Sequence, residues 1–542
     1  MLLHGIYFCA CGFLVSVICE PASRLVNIYQ GPVKGYMAPE GGVFVFYGIP
    51  YATAPTGPQK FRPPLPPPIW TTTFEALQTN IICPQNRALT KYKGEFMMQE
   101  DCLIANVYVP DTEETNLPVV VNVHGGAFQY GYGSRRAPIH LVQSKKVIAV
   151  NFNYRVGAHG FLCLGTEDVP GNAGMKDQVA LLRWVQKNIA QFGGNPNDVT
   201  INGCSSGGAS VDLLMISKMA KGLFHKVIPE SGSKTAPFTV QVDPIANAKK
   251  IAKELNYSNV DDIENLEKYY KTAPYEKLYE VDLGKDKHTS FVFFPCVERN
   301  IGEEIFLDDD PVNIIKKGAY TKLPMLYGIS DMEGIFRTKY FDDWKDQMNE
   351  KFADFIPVNL KFSNEEEKEK VAQKIKEFYF GNETINEESI LEYIKYFSDV
   401  MVGYGTARSV KMHVEAGNSQ IYLYKYEFVD DSTDYIPYTN IRGAAHCAQA
   451  NAISDLGDES KLSQEYKNMK SVMRDLWLNF ITTGKPVPDG SEYPAWPPVG
   501  YNRSPYMSLN RTLALKSSFL GNRAPFWDDI YDKHYAKPVL WI

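Results

Sequence analysis

The chain has 542 residues and a formal net charge of −7, and 44% of its residues are hydrophobic while 22% are charged. This composition is typical of a folded globular protein with enough apolar material for a large core. The charges are spread along the sequence without a basic run, so we expect no nucleic-acid partner.

An apolar run at residues 6–19 is followed at once by Glu20, Pro21 and polar sequence. The run has the length of a signal-peptide core and is too short to span a bilayer. Because its positive flank is weak, a buried N-terminal helix is the alternative. We expect residues 1–19 to be a secretory signal peptide and residues 20–542 to form a single domain of a secreted, extracellular protein without a membrane span.

The cysteines and sequons agree with export. Cys83 and Cys102 lie on either side of a polar loop and would close a small disulfide ring, which stabilises a fold by roughly 3 kcal/mol on the loop-entropy model. The scattered cysteines are expected to be buried free thiols: Cys163, Cys204, Cys296 and Cys447. Sequons predict N-glycosylation at Asn256, Asn382 and Asn510.

In chain order, the first part, to about residue 110, is rich in turns and short strands, with a strand pattern at residues 41–52. Residues 117–123 and 146–154 are near-continuous apolar runs, typical of strands buried on both faces. Residues 177–192 carry apolar side chains at helical spacing and end at a Gly-Gly pair, and residues 199–202 form a further strand.

The second half continues this pattern. Residues 244–320 and 364–417 are charged and helical, residues 323–330 and 421–428 are strand-like, and a last helix begins near Met473. Strands that alternate with helices predict a mainly parallel sheet covered on both faces. The expected fold class is therefore α/β, with helical insertions and no internal repeats.

A nucleophile elbow is indicated at residues 203–207 (GCSSG), which fit the pattern G-x-S-x-G between a strand and a helix that begins near Ser206. Small flanking residues allow the strained turn that exposes a serine oxygen. Centring the pattern on Ser206 would require glycine in place of Cys204, so Ser205 is the candidate nucleophile. Since so short a match also arises by chance, its interpretation depends on finding a base, an acid and an oxyanion hole.

An oxyanion hole is indicated where the strand at 117–123 runs into residues 124–128 (HGGAF), a loop of the H-G-G-G type. Such a loop turns its backbone N–H groups toward a developing negative oxygen, and a further donor is the N–H after the nucleophile, here Ser206. An ordinary glycine turn is the alternative, but one that follows a buried strand and precedes an elbow is much rarer.

The base and the acid must follow the serine in the order acid, then histidine. His446 lies in a small-residue loop after the strand at 421–428, which suits a projecting base, whereas His413 falls in a helical pattern and His534 in a charged tail. Glu333 and Asp331 both follow the strand at 323–330. Spacing alone does not separate these two acids.

The chain resembles the carboxylesterase/cholinesterase family of the α/β-hydrolases over nearly its whole length. The likeness rests on EDCL at 100–103, NYR at 153–155, GFL at 160–162, PGN at 170–172, FGG at 192–194 and SGS at 231–233. The finer likeness is to insect esterases, including the antennal group that acts on odorant and pheromone esters. The resemblance implies an α/β-hydrolase fold and no metal or other cofactor.

The same resemblance assigns roles to residues. It implies Ser205 as nucleophile, Glu333 as acid and His446 as base. Gly126, Ala127 and Ser206 would form the oxyanion hole, and Cys83–Cys102 would match the family's first disulfide.

Four departures from the family bear on the substrate. Cys204 replaces the usual glutamate before the serine, Ser206 replaces the usual alanine, and Phe238 stands at the position of the acyl-pocket tryptophan. No tryptophan lies between Cys83 and Cys102, where cholinesterases stack the choline cation. Cationic esters are therefore disfavoured, and the hormone-esterase branch, which typically has glutamine at position 204, is not supported either.

The sequence thus predicts a secreted serine carboxylesterase that hydrolyses neutral carboxylic esters through an acyl-enzyme, with odorant, pheromone or xenobiotic esters as candidates. A non-catalytic binding or adhesion protein and a slow-turnover ester scavenger are the alternatives. Cys204 and Cys447 flank the site and could form a redox-sensitive pair, although free thiols are the favoured interpretation.

Overall fold

The structure is a computed structural model that describes residues 21–86, 95–279 and 293–539. The predicted signal peptide at residues 1–19 lies outside these described residues. The strands in chain order are β1 (Ser23–Ile28), β2 (Gly31–Met37), β3 (Val43–Pro50), β4 (Phe74–Glu75), β5 (Ile81–Ile82), β6 (Met97–Met98), β7 (Ile104–Pro110), β8 (Leu117–Val123), β9 (Ile148–Phe152), β10 (Gly194–Cys204), β11 (Lys226–Glu230), β12 (Met325–Ser330), β13 (Ile421–Tyr426), β14 (Tyr506–Leu509) and β15 (Ala514–Lys516).

The helices in chain order are α1 (Ile139–Val142), α2 (Gly157–Phe161), α3 (Ala173–Asn188), α4 (Ser206–Leu214), α5 (Pro244–Glu254), α6 (Ile263–Thr272), α7 (Tyr275–Leu278), α8 (Pro311–Lys316), α9 (Phe341–Glu350), α10 (Glu365–Phe380), α11 (Ile390–Ser398), α12 (Tyr404–Glu415), α13 (Ala448–Ile453), α14 (Gln464–Thr483) and α15 (Arg523–His534). A π-helical turn, Asp399–Gly403, joins α11 to α12. Within the described ranges, none of these helices combines the length and apolar character needed to cross a membrane.

A large sheet organises these elements in the order β1-β2-β3-β7-β9-β8-β10-β11-β12-β13-β14-β15, with β4 paired to β2. The strands from β9 to β14 run parallel, and those toward both edges run antiparallel. The expected α/β class with a mainly parallel sheet is confirmed. Because parallel strands end at the same edge, the loops that follow β8, β10, β12 and β13 meet there.

The core lies on both faces of the sheet. Val119 and Val121 of β8 belong to one apolar cluster with Leu182 of α3, while Val120 belongs to a second cluster with Trp477 of α14. Successive side chains of a strand point to opposite faces, so a strand covered on both sides is mostly apolar. This packing explains why β8 was visible in the sequence as a near-continuous apolar run, in which Asn122 is the polar residue.

Two expectations about the C-terminal part are wrong. Helix α14 begins at Gln464 rather than near Met473, because Ser463 caps it by accepting a hydrogen bond from the Tyr466 amide. It is also not the last helix. The charged tail forms α15, whose buried face carries Trp527 and Tyr531.

Three disulfides cross-link the described residues: Cys83–Cys102, Cys163–Cys296 and Cys204–Cys447. The first matches the expected ring. The expectation that Cys163 and Cys296 are free thiols is wrong, because folding brings their Cα atoms to 6.7 Å, within the range that a disulfide can bridge. Their sequence separation of 133 residues conceals this proximity.

Candidate active site

Ser205 lies at the turn between β10 and α4, where a G-x-S-x-G motif is expected to expose its oxygen. Its backbone has φ 63° and ψ −127°, a strained conformation for a residue with a side chain. The Ser205 amide donates to the Glu230 carbonyl at 2.9 Å, so the neighbouring strand β11 holds the turn in place. The sequence therefore builds the sharp strand-to-helix turn that the elbow pattern predicts.

The loop after β8 packs directly on this turn. A Cβ on Gly125 would lie 2.4 Å from the Cys204 carbonyl oxygen, so only glycine allows the approach. Gly126 has φ +129° and Ala127 has φ 56°, and the Gly126 carbonyl accepts from the Tyr130 amide at 3.0 Å. Among hydrogen bonds between described residues, the Gly126 and Ala127 amides have no acceptor, which leaves both free to bind an oxyanion.

Ser206, the third predicted donor, is the first residue of α4 and is fully buried behind the nucleophile candidate. The first N–H groups of a helix have no acceptor within the helix and carry its partial positive charge. The Ser206 amide therefore lies at the positive end of α4, directly after Ser205.

His446 and Glu333 are in direct contact. His446 Nδ1 lies 2.5 Å from Glu333 Oε2, and Glu333 is fully buried. The competing acid, Asp331, instead faces Lys425 at 3.8 Å. His413 lies buried in α12, where its Nδ1 lies 2.6 Å from the hydroxyl of Tyr320. The structure thus pairs His446 with Glu333 rather than with the alternative acid.

The other carboxylate oxygen of Glu333 is held by two donors. Oε1 accepts from the Ser330 amide at 2.7 Å and from the Ser231 hydroxyl at 2.5 Å. Ser231 in turn accepts from Gln449 Nε2 at 2.6 Å, and Gln449 Oε1 accepts from the Ser330 hydroxyl at 2.6 Å. These three polar residues were missed as site residues in the sequence, because their positions relative to Glu333 depend on the fold.

The Cys204–Cys447 disulfide corrects the expectation of two free thiols beside the site. The bridge joins the residue before Ser205 to the residue after His446, with Cα atoms 6.2 Å apart. The ends of β10 and of the loop after β13 meet at the same sheet edge, although 243 residues separate the two cysteines in sequence. The Cys204 position is thus occupied by a neutral, cross-linked sulfur rather than by an ionisable thiol.

A cavity of about 710 Å³ opens beside these residues. Of the predicted site residues, Ser205, His446, Gly126, Ala127 and Phe238 line it. Apolar side chains form part of its wall next to the base: Phe336, Met401 and Val402. Four chain segments that are far apart in sequence therefore converge on one chamber of a size that holds small molecules.

One group of potential metal ligands occurs among the described residues, formed by His140, Asp455 and Glu459. Arg474 pairs with both carboxylates, with its Nη2 2.9 Å from Asp455 Oδ1, and Lys470 contacts Glu459 at 3.1 Å. These two cations already neutralise the acids, so the cluster is a largely buried ion-pair network.

A carboxylesterase family model matches residues 22–527. The chain belongs to the carboxylesterase family. It is similar to Esterase FE4 of Myzus persicae, with 31% identity over 93% of this chain and 91% of the relative. It is also 31% identical to Juvenile hormone esterase of Heliothis virescens over 98% of each chain. The predicted family and its likeness to insect esterases are confirmed.

A solved structure agrees with this assignment. Juvenile hormone esterase from Manduca sexta, crystallised with OTFP covalently attached, has 29% sequence identity and a TM-score of 0.83, and the match covers 94% of this chain and all of that one. The carboxylesterase described here is therefore an α/β-hydrolase and a carboxylic ester hydrolase, and its substrate is a small-molecule ester.

Proposed function

We propose that this carboxylesterase hydrolyses its substrate through an acyl-enzyme on Ser205. The observation that carries the proposal is the convergence of four segments on one cavity, with Ser205 and His446 on its wall and Glu333 bonded to His446 behind it. Acyl transfer requires a nucleophile, a base and an acid that orients the base. These residues follow one another in the chain as serine, acid and histidine, which is the order found in this fold.

In the first half-reaction, the Ser205 oxygen attacks the ester carbonyl while His446 Nε2 takes the serine proton. Glu333 holds the Nδ1–H of the ring and stabilises the imidazolium that forms. The amides of Gly126, Ala127 and Ser206 bind the oxyanion, and each such donor contributes about 3–4 kcal/mol of transition-state stabilisation. The carbon–oxygen bond to the alcohol then breaks, and the alcohol leaves with the proton from His446.

In the second half-reaction, a water molecule gives a proton to His446 and attacks the acyl carbon. The bond to Ser205 breaks, the serine recovers its proton from His446, and a carboxylic acid is released. Every proton and leaving group is accounted for by the ester, the water and these residues.

The cavity wall supports the exclusion of cationic esters. It carries four cationic side chains, Arg135, Arg136, Arg337 and Lys339. Among the described residues that line the cavity, Glu230 is the one carboxylate, and burial raises its pKa to about 7. Phe238 and Phe336 offer apolar surface to the chains of an ester, and odorant, pheromone and xenobiotic esters are the substrates to test first.

We also propose that the protein is secreted. Disulfides form and persist in oxidising compartments, and three are present here. The sequons at Asn256 and Asn382 lie on exposed turns, and Asn510 is half-buried at the end of β14. Purification from the medium of expressing cells, with peptide mapping of the mature N-terminus and of glycans, would test the signal peptide at residues 1–19.

A pre-steady-state assay with a chromogenic acetate ester tests the catalytic proposal. We expect a burst of alcohol followed by steady turnover, and loss of both in Ser205→Ala. A burst without turnover would identify a scavenger, and neither phase would identify a binding protein. Turnover that survives in Ser205→Ala would overturn the mechanism.

A further inference from the structure

A row of polar side chains crosses the middle of the sheet. Asn151 of β9, Asn122 of β8 and Asn202 of β10 lie side by side in register. Asn122 Nδ2 donates to Asn202 Oδ1 at 2.6 Å, and Asn202 Nδ2 donates to Glu230 Oε2 at 3.0 Å. Strands buried on both faces are normally apolar, so three aligned asparagines mark a place where the sheet meets something polar.

The catalytic cavity extends over this row. We name this part the inner chamber, and it is defined by the lining residues Asn122, Asn151, Asn202, Glu230, Arg136 and Trp477. Cys204 and Cys447 line the same cavity, and each is adjacent in sequence to a predicted catalytic residue. A molecule bound to Ser205 therefore has continuous space that leads to the inner chamber.

Arg136 brings a cation to this chamber. Its Nη2 donates to Asn451 Oδ1 at 2.8 Å, and the chamber carboxylate that acts on it electrostatically is Glu230. Its Nε is buried without a protein acceptor. Burial lowers the pKa of the guanidinium to about 10, which leaves it charged at neutral pH. Because burial raises the pKa of Glu230 to about 7, this carboxylate balances the half-buried guanidinium only in part at neutral pH.

Trp477 adds a second donor without an acceptor. The indole reaches the chamber from α14, and its Nε1 is buried with no protein acceptor. A tryptophan N–H and an arginine can only donate. These donors and the cationic side chains elsewhere on the cavity wall favour a negatively charged acceptor. The local charge of the cavity wall is thus opposite in sign to the net charge of the whole chain, which is −7.

We propose that the inner chamber binds a carboxylate, held by Arg136 and Trp477, while an ester carbonyl or its product occupies the Ser205 end of the same cavity. This inference rests on the proposed function, because it uses Ser205 to mark the reacting end. Two sources supply such a group. One is an ester that carries a carboxylate at its far end, and the other is the carboxylic acid that hydrolysis releases.

Two substrates with the same glutaryl chain distinguish these sources. One is mono-4-nitrophenyl glutarate, which has a free carboxylate, and the other is its neutral methyl diester. For Arg136→Gln, we expect kcat/KM for the half-ester to fall by about tenfold or more, since a charge-assisted hydrogen bond is lost, while the diester changes little. Arg136→Lys should retain part of the preference. Lys146→Gln removes an exposed charge outside the cavity and is the matched control.

A second arm uses hexanoate as an inhibitor of acetate-ester hydrolysis. If the chamber takes the product acid, hexanoate inhibition weakens in Arg136→Gln by about tenfold while the half-ester and the diester behave alike. If it takes the substrate carboxylate, only the half-ester responds. Either result supports the proposal. Equal behaviour of Arg136→Gln and Lys146→Gln in both arms would overturn it.

Binding without turnover separates this proposal from the catalytic one. Calorimetric titration of hexanoate and of glutarate into Ser205→Ala measures the chamber even if the chain hydrolyses nothing. If Arg136→Gln does not fold, as judged by circular dichroism, Trp477→Phe removes the other donor with little change of shape and should weaken carboxylate binding several-fold. Unchanged affinity in that variant, or no binding of either acid to Ser205→Ala, would refute the carboxylate site.

Discussion

Replacing Glu333 by glutamine tests how the buried acid controls the proton on His446. Oε1 of Glu333 accepts from the Ser330 amide at 2.7 Å and from the Ser231 hydroxyl at 2.5 Å, while Oε2 faces His446 Nδ1 at 2.5 Å. A backbone amide can only donate, so the oxygen of the new glutamine must take the Oε1 position. Its NH₂ group must then point at His446.

An NH₂ group opposite Nδ1 forces that nitrogen to accept, and the ring proton moves to Nε2. Nε2 is the atom that must receive the proton of Ser205, so the wrong tautomer is stabilised. Loss of the correct tautomer lowers kcat by about 10⁴-fold in serine hydrolases of this design. At 1.36 kcal/mol for each tenfold change, this corresponds to about 5.5 kcal/mol of barrier. The substrate-binding wall is untouched, so we expect KM to change little.

Steady-state hydrolysis of a chromogenic acetate ester measures both constants, and circular dichroism checks that the variant is folded. Asp331→Asn is the matched control, because this neighbouring carboxylate faces Lys425 and has no contact with His446. It should retain near wild-type kcat. A loss smaller than about tenfold in Glu333→Gln, or an equal loss in the control, would refute the assignment of Glu333 as the orienting acid.

Three other changes probe the surroundings of the site. In Gly126→Ala, the new Cβ would lie 1.8 Å from the Tyr130 carbonyl oxygen, so the loop must shift and kcat should fall about 10²–10³-fold in the same ester assay. Serine at both Cys204 and Cys447 should lower kcat about tenfold, because the two catalytic segments lose their tether, and should cost about 2–5 kcal/mol in denaturant unfolding. Burial raises the pKa of Glu230 from 4.5 to about 7. The contribution of this residue to the free energy of unfolding is therefore complete below pH 4.5 and is lost, by about 3 kcal/mol, as the pH rises through 7. Urea unfolding of Glu230→Gln should lack this decline.

Each of these changes has a control. Neither Cys163 nor Cys296 is among the described residues that line the cavity. Serine at both positions should therefore lower stability without lowering kcat of the folded enzyme. An equal loss of kcat in both double variants would argue against a tethering role. Gly222 has φ +81° with open space around it, and Gly222→Ala should keep wild-type kcat. A pH profile of stability that is identical with and without Glu230 would contradict burial as the cause of its raised pKa.

Local patterns carried much of the prediction of the fold. The run at 117–123 coincides with β8 because a strand covered on both faces is apolar at nearly every position. The combination of a serine turn with the loop of residues 124–128 was also visible in the sequence, because small residues are required wherever the two backbones touch. Helix α15 was missed because only part of its short, charged sequence is buried.

Features that depend on distant pairing were out of reach of the sequence. The cysteine pairs are 133 and 243 residues apart, and nothing local tells which thiols meet. Spacing did not separate Glu333 from Asp331, and it was the family resemblance that favoured Glu333. The asparagines of the inner chamber lie on three different strands, and their alignment depends on strand order and register.

The central claim is that Ser205 is the residue that becomes acylated. Diethyl 4-nitrophenyl phosphate reacts with an activated serine to give a stable phosphoryl ester and releases 4-nitrophenol. Intact-protein mass spectrometry followed by peptide mapping should find one diethylphosphoryl group per chain, located on Ser205, with loss of esterase activity in proportion to labelling. Activity that persists after complete labelling, or a label on another residue in the active enzyme, would contradict the account.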